Sequence, residues 1–389
     1  MWFFRSPEIV FGEGALDHLA QVQGTRALIV TDENIVALGF VDKVQAKLRE
    51  AGIEASIFSA VEPNPSLQTV QQGAQVALAY GPDWIIGLGG GSCLDAAKSI
   101  WIQYERPELA PDDVAPIGRL GLRQKAHLIA IPTTSGTGAE VTWPIVLTDL
   151  EEHRKLSVGH PENIPDLAII DPVFVMNLPA QVTADTGMDV LTHAVEGFTS
   201  LWRNDFIDGL CLKAVDLVFH YLPRAYEAGA EDPEARERMH NAATIAGLGF
   251  GNSMAAAAHA LGHSMGALLP IPHGRAVGLC LPYTVEFTVR GYLPTRYREI
   301  ARFLGLPATD EEQAAASLVQ AIRDLARRID QPLSLQAAGI SREVFEARLP
   351  ALVENALNDS AMTIAARFPE DEEVGLILRC IYEGTLVDF

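Results

Sequence analysis

Several absences narrow what this 389-residue chain is. It has 4 cysteines, Cys93, Cys211, Cys280 and Cys380, far apart and with no C-x-x-C pair. That excludes a disulfide framework and a cysteine-built zinc site, and the thiols read as reduced and intracellular. Positive charge is scarce: 29 Lys and Arg face 50 Asp and Glu, a formal net charge of −21. Such a surface repels nucleic acid and anionic membranes, so neither is expected as a partner. No segment offers about 18 uninterrupted apolar residues, the length of a membrane span. The longest apolar stretch, 242–269, is broken by Asn252, Ser253, His259 and His263. The start, Met1-Trp2-Phe3-Phe4-Arg5, lacks the basic-then-apolar pattern of a secretory signal. Internal repeats and low-complexity segments are missing too. The expectation is a soluble, cytoplasmic protein.

What is present is apolar material for more than one core: 48 % of residues are hydrophobic and 20 % charged. Up to about residue 170, short apolar runs alternate with helical patterns. The runs are 27–31 (ALIVT), 55–58, 84–88 (WIIGL), 128–132 (LIAIP) and 167–171 (LAIID). Continuous apolar runs of this length suit strands buried on both faces, and their alternation with helices predicts a parallel sheet. Helices are expected over 41–51, 67–80 and 94–103, the first two stopped by Gly52 and by Gly81-Pro82. Beyond about 180 the pattern becomes Ala-rich and helical, over 185–200, 206–226, 234–248, 253–268, 297–304 and 311–329. The reading is an α/β dinucleotide-binding domain over 1–180 and an all-helical domain over 181–389.

Three features of the first part suit a nucleotide. Gly89-Gly90-Gly91-Ser92 joins a strand to a helix, where glycines let a phosphate approach the backbone and the first helical N–H groups attract it. Thr133-Thr134-Ser135-Gly136-Thr137-Gly138 follows another strand, at the edge where parallel sheets bind ligands. Asp32 follows the strand 27–31 and suits either a ribose hydroxyl or the N-terminus of the next helix.

The helical part carries a different chemistry. Asp189 and His193 are four apart and share a helix face, as do His259 and His263, and His273 follows in Pro272-His273-Gly274, read as a turn. Imidazoles with one carboxylate suit a transition metal better than Mg²⁺, and so many polar groups in an apolar helical domain need partners.

Taken in order, these motifs resemble the iron-containing (group III) alcohol dehydrogenases along nearly the whole chain. They are Thr31-Asp32, Pro63-Asn64-Pro65, the glycine loop with Asp95 and Lys98, Pro132-Thr133-Thr134-Ser135-Gly136-Thr137, Asp189-x-x-x-His193-Ala194-x-Glu196, His259-x-x-x-His263 and Pro272-His273-Gly274. The resemblance implies the dehydroquinate synthase-like architecture of that family, with the active site in a cleft between its two domains. It implies Fe²⁺, with Zn²⁺ or another divalent transition metal as alternatives, held by Asp189, His193, His259 and His273. It makes His263 the unligated active-site histidine and proton relay. It places NAD(H) on Asp32, Asn64, Gly90, Gly91, Ser92, Asp95, Thr133, Thr134, Thr137 and Lys155. A small alcohol or aldehyde is the implied substrate and a homodimer or larger homo-oligomer the implied assembly. Relatives that reduce short hydroxyaldehydes commonly carry an aliphatic residue and Asn after the Glu140-Val141-Thr142 equivalent. Here the chain has Trp143-Pro144, and with Phe250 these give the substrate pocket a bulkier aromatic wall. The competing readings are a dehydroquinate synthase-type cyclase, which needs basic residues for a phosphorylated sugar acid, and a catalytically silent NAD-binding protein.

Overall fold

A computed structural model describes residues 3–151 and 154–389; Met1 and Trp2, part of the segment read above for a targeting signal, lie outside the described residues. The chain forms two compact units, Met1–Asn177 and Leu178–Phe389.

The first unit contains strands β1 (Glu8–Phe11), β2 (Arg26–Val30), β3 (Glu54–Phe58), β4 (Trp84–Gly89), β5 (His127–Pro132), β6 (Pro144–Asp149), β7 (Arg154–Gly159) and β8 (Leu167–Ile170). Its helices are α1 (Glu33–Ala37), α2 (Phe40–Glu50), α3 (Leu67–Tyr80) and α4 (Gly91–Glu105). Six strands form one parallel sheet in the order β1-β8-β5-β4-β2-β3. The apolar runs behave as their composition requires. Ala27 and Ile29 of β2 join a core with Val41, Val44 and Leu48 of α2, whereas Leu28 and Val30 join another with Val70 of α3 and Ile100 and Trp101 of α4. Alternate residues of one strand thus feed two cores, which is why no polar face was visible in the sequence.

The order also locates the ligand edge. From β3 the chain crosses β2 to form β4, so the direction of winding reverses between β2 and β4. Parallel sheets bind ligands at such a switch point, outside the strands' carboxyl ends. Asp32 follows β2 and the glycine loop follows β4.

Two parts of this unit were not foreseen. β1 is only four residues long, and β6 and β7 form a separate antiparallel hairpin in which Leu147 pairs with Leu156 and Ile145 with Val158. The hairpin alternates buried and less buried positions along β6, unlike the continuous apolar runs of the main sheet.

The second unit contains α5 (Ala180–Thr199), α6 (Asp205–Ala228), α7 (Pro233–Phe250), α8 (Ala257–Leu268), α9 (His273–Thr288), α10 (Tyr297–Phe303), α11 (Glu311–Arg328), α12 (Arg342–Asn358) and α13 (Asp371–Glu383). Among the described residues no strand falls in this unit. α5 is its axis, packed against α6, α7 and α9 and buried almost all round. Helices α9, α12 and α13 escaped the sequence reading; the first two have interior prolines, Pro282 and Pro350, a residue that normally interrupts a helix. No helix among the described residues is long and apolar enough to cross a membrane.

Candidate active site

The phosphate-ready end of the first unit is built largely from main chain. α4 starts at Gly91 with Gly90 as its N-cap, and Gly90 supplies no side-chain acceptor for the helix. Its first N–H groups therefore lack an intrahelical partner and are aimed out of the helix end. The two glycines differ in what surrounds them. A Cβ on Gly91 would fall 2.8 Å from Thr137 Cγ2, whereas one on Gly90 would meet only Thr134, at 3.4 Å. Gly91 lets the threonine loop pack against the helix start, and Gly90 leaves the approach to it open. Thr133 ties the two loops together, its N–H donating to Gly89 O at 3.0 Å.

Ser92 Oγ accepts from Asn64 N at 3.3 Å, and Lys155 Nζ donates to Asn64 Oδ1 at 2.9 Å. Asn64 has φ 58°, in the left-handed region that Asn tolerates better than most residues. Asp32 caps α1, with Oδ1 accepting from Asn34 N at 2.7 Å and Ile35 N at 3.0 Å. Its Oδ2 accepts from the Cys93 thiol at 3.3 Å, linking the end of β2 to the first turn of α4. Asp95 faces inward: its Oδ2 accepts from Val146 N at 3.0 Å, and Lys98, almost fully buried, lies 3.8 Å away and donates to Pro144 O. Burial pushes the Asp95 carboxyl up to about 6, against the opposing pull of Lys98. Asp95 and Lys98 thus anchor β6 to α4. Trp143 lies just before β6, its carbonyl bound by the Asn163 side chain at 2.5 Å.

The second unit holds a side-chain site. Asp189, His193 and Glu196 follow one another along a single face of α5. His259 lies in the first turn of α8. His273 is not in a turn, as the sequence suggested, but is the first residue of α9: Pro272 is the N-cap, just outside the helix, and so does not interrupt it. The sharp feature is Gly274: a Cβ there would stand 2.3 Å from Asp185 O and 3.3 Å from Asp189 Cβ. Only glycine lets α9 begin directly against α5, and this brings His273 to Asp189.

Asp189 Oδ1 lies 3.7 Å from each of His193 Nδ1, His259 Nε2 and His273 Nε2. That is too long for a hydrogen bond. It is close to the ligand-to-ligand spacing, about 3.4 Å, set by four bonds of about 2.1 Å around a tetrahedral ion. Asp189 Oδ1, His193 Nδ1 and His259 Nε2 lie within 4.8 Å of one another, out of reach of solvent and with no hydrogen-bond partner. Leaving three such atoms unpaired is costly, and a divalent transition metal fits them by charge, spacing and donor type.

Electrostatics support the same fit. Burial works against ionisation of Asp189, but the surrounding imidazoles of His193, His273 and His259 hold its carboxyl well below the usual range. Burial pushes His193 down to about 3, so its ring is neutral and a lone pair is available. His259, by contrast, is driven up to about 9, because the Asp189 and Glu196 carboxylates outweigh burial, so an ion at Nε2 would have to displace a proton there.

Glu196 is a residue whose role the sequence did not disclose, although it stood in the motif. Its Oε2 accepts from His259 Nδ1 at 2.6 Å and from Ala256 N at 2.9 Å, while Oε1 accepts from Ala258 N. α8 has no cap of its own, so Glu196 caps it from α5 and fixes His259 with Nε2 toward Asp189. A buried carboxylate one turn from His193 was the available signal. Phe250 stacks on His193 at 3.9 Å and 8°. His263 stacks on His273 at 5.2 Å, and its Nδ1 lies 2.7 Å from Asp359 Oδ2. Asp359 carried no sequence signal, since the two partners are 96 positions apart. Arg275, the basic residue beside the His273 motif, has Nε and Nη2 engaged by Asp185 at 2.9 and 3.1 Å. It is therefore committed to a carboxylate, which weakens the cyclase reading.

The fold and this cluster point to one class, the metal-dependent oxidoreductases built from an α/β unit and a helical unit. Residues 6–172 match the iron-containing alcohol dehydrogenase family and residues 183–382 match the C-terminal family of the Fe-containing alcohol dehydrogenases. The chain is 38 % identical to the NADPH-dependent butanol dehydrogenase of Clostridium saccharobutylicum, covering 100 % of both proteins. It is 36 % identical to aldehyde-alcohol dehydrogenase 2 of Entamoeba histolytica, matching over 98 % of this chain but only 46 % of that longer protein. The crystal structure of a 1,3-propanediol oxidoreductase superposes with a TM-score of 0.90 at 32 % identity, covering 98 % of this chain and 100 % of the other. This chain belongs to the iron-containing alcohol dehydrogenase family, and it is an oxidoreductase of alcohols or aldehydes.

Proposed function

We propose that the chain is an NAD(H)-linked alcohol dehydrogenase in which Asp189, His193, His259 and His273 hold one divalent ion and a small alcohol or aldehyde is the substrate. The observation that carries this reading is the set of three buried, unpaired donor atoms on Asp189, His193 and His259, with His273 Nε2 3.7 Å from the same carboxylate oxygen. When bound, Fe²⁺ or Zn²⁺ supplies Lewis acidity to the substrate oxygen, and the nicotinamide supplies the hydride acceptor or donor.

The chain's own residues do the rest. Glu196 keeps the proton on His259 Nδ1 and so leaves Nε2 as a lone-pair donor. Phe250 covers a face of His193 with an apolar ring. His263 accepts the hydroxyl proton on oxidation and returns it on reduction. Its side chain is 28 % exposed, against 3 % for His259 and 5 % for His193; His273 is as open, at 33 %, but its Nε2 faces Asp189, whereas His263 is bound only at Nδ1 by Asp359.

In the first unit, the N-terminus of α4 with Gly90, Gly91 and Ser92 receives the pyrophosphate, and Thr133, Thr134 and Thr137 line its approach. Asn64 and Lys155 act as a joined pair beside Ser92. Asp95 contributes by holding β6 against α4. The Clostridium relative is named for NADPH, so kinship does not set the choice of nucleotide; Asp32 does. Its Oδ1 is filled by two backbone N–H groups and its Oδ2 by one thiol, leaving one acceptor position for a ribose hydroxyl and negative charge to repel a 2′-phosphate. Phe250, stacked on His193, gives the substrate apolar surface beside the candidate metal site, which favours an alcohol with an apolar chain over a hydroxyaldehyde.

The protein is placed in the cytoplasm, where unpaired cysteines remain reduced. A homodimer or larger homo-oligomer is the assembly proposed; β1 is an edge strand with Phe11 turned outward, and edge strands of this kind are covered in native proteins. The deciding experiment is anaerobic. Chelated protein should lose NAD⁺-linked oxidation of a panel of short primary alcohols and recover it with Fe²⁺ or Zn²⁺. Full activity in verified metal-free protein refutes the reading.

A further inference from the structure

α8 carries two imidazoles one turn apart, and each is bound at Nδ1 by a carboxylate from a different helix. Glu196 of α5 holds His259. Asp359, at the junction of α12 and the short 3₁₀ turn Ser360–Ile364, holds His263. The second pair is more exposed than the first, but its carboxylate is also held at both oxygens. Asp359 Oδ1 accepts from Ala361 N at 2.8 Å, which leaves Oδ2 pointed at His263 Nδ1 at 2.7 Å. Ser264, the next residue of α8, donates from Oγ to Leu352 O of α12 at 2.8 Å and sets the register of the two helices. The ring's face is fixed by its stacking on His273 at 5.2 Å and 16°.

We infer that Asp359 is a positioning residue for the reaction: it fixes the tautomer and ring plane of His263. A carboxylate only accepts, so Nδ1 must carry the hydrogen and the free lone pair of the neutral ring lies on Nε2. A ring free to turn, or carrying its hydrogen on the other nitrogen, presents a donor where an acceptor is needed. The same dependence of an imidazole base on an orienting carboxylate operates in serine hydrolases. The carboxylate of Asp359 is hydrogen-bonded to His263 and to Ala361 N, so its route to the reaction runs through His263. The inference rests on the reading of His263 as the proton carrier.

The test is a double-mutant cycle with Asp359→Asn, His263→Ala and the combined variant in the metal-loaded enzyme. Asp359→Asn keeps the size and one oxygen for Ala361 N but offers an amide N–H₂ to the ring. It should lower kcat at least about 10-fold, with the roughly 10⁴-fold loss known for the orienting carboxylate of a catalytic imidazole as the upper bound, with KM for NAD(H), metal content and Tm unchanged. In the His263→Ala background the same substitution should change kcat less than about 2-fold, because its only route of action is gone. Asp359→Glu, which keeps the acceptor charge, should recover part of the loss. Three outcomes are distinguishable. If His263→Ala retains full kcat, the reading of His263 fails and the inference with it. If His263→Ala loses rate but Asp359→Asn does not, only the role of Asp359 is overturned. If Asp359→Asn costs the same in both backgrounds, or lowers Tm in step with rate, Asp359 is a structural cap and the inference is wrong.

Discussion

The two units build their sites from different material. In the first, the candidate cofactor site is mainly backbone: the open end of α4, two glycines, and loops at the carboxyl ends of parallel strands. In the second, the candidate metal site consists of long side chains projected from α5, α8 and α9 into an apolar interior. Main-chain groups come with any residue, so the first site is specified by what is left out, a Cβ at Gly90 or Gly91. The second is specified by what is put in, and its buried donor atoms on Asp189, His193 and His259 have no hydrogen-bond partner, a costly arrangement that a bound ion would relieve.

The sharpest break between the two is expected at the histidines. His259→Ala and His273→Ala should each lose most of the bound metal and at least about 10³-fold in turnover, since each removes a ligand and an acid-chemistry centre together. Both should still bind NAD(H), read by fluorescence titration, because the first unit is compact by itself. Loss of nucleotide binding in either variant would undo the division of labour.

Glu196→Gln tests the support of that cluster. Gln can still accept from one backbone N–H of α8, but it no longer offers His259 a charged acceptor. Metal affinity should drop about 10- to 100-fold, measured by competition with a chromogenic chelator, while saturating metal restores most of the rate. An unchanged affinity would show that His259 is oriented by packing alone.

In the first unit the two glycines should separate. Gly90→Val should weaken NAD(H) binding by about tenfold or more with little change in Tm, since its side chain enters space that only a ligand fills. Gly91→Ala should lower Tm as well, because its Cβ would press on Thr137 at 2.8 Å. Equal effects on Tm would mean that both positions are packing glycines.

The smallest effect concerns Asp32. Replacement by Gly would remove the α1 cap together with the charge, so Asp32→Asn is the cleaner change: Asn caps as well as Asp. The ratio of kcat/KM for NADH over NADPH should fall by about tenfold, with stability within roughly 0.5 kcal/mol of the parent. A wild-type enzyme that uses NADPH as well as NADH would remove the premise.

Much of this was legible in the chain itself. Apolar runs such as Trp84–Gly89 marked the doubly buried strands, and Leu67–Tyr80 was delimited by a helical pattern and Gly81. Spacing of four placed Asp189 with His193 on one face, since helical periodicity is local. Helices α9, α12 and α13 were not legible; α9 and α12 carry interior prolines, which oppose the helical rule, although α6 was read as a helix across its own Pro223 and α13 has no proline.

What the sequence determined by itself was the list of ingredients: a parallel sheet, a helical half, a glycine loop and a set of imidazoles with one carboxylate. The tertiary structure decided their relations. It turned Asp95 inward to hold β6 and gave the two oxygens of Asp32 to a helix cap and a thiol. It moved His273 from a turn to a helix start against α5, and it assigned Glu196 to His259 and Asp359 to His263 across 63 and 96 positions. Residue type and local period are properties of short segments, whereas a hydrogen bond between distant side chains exists only once packing has fixed the helices that carry them.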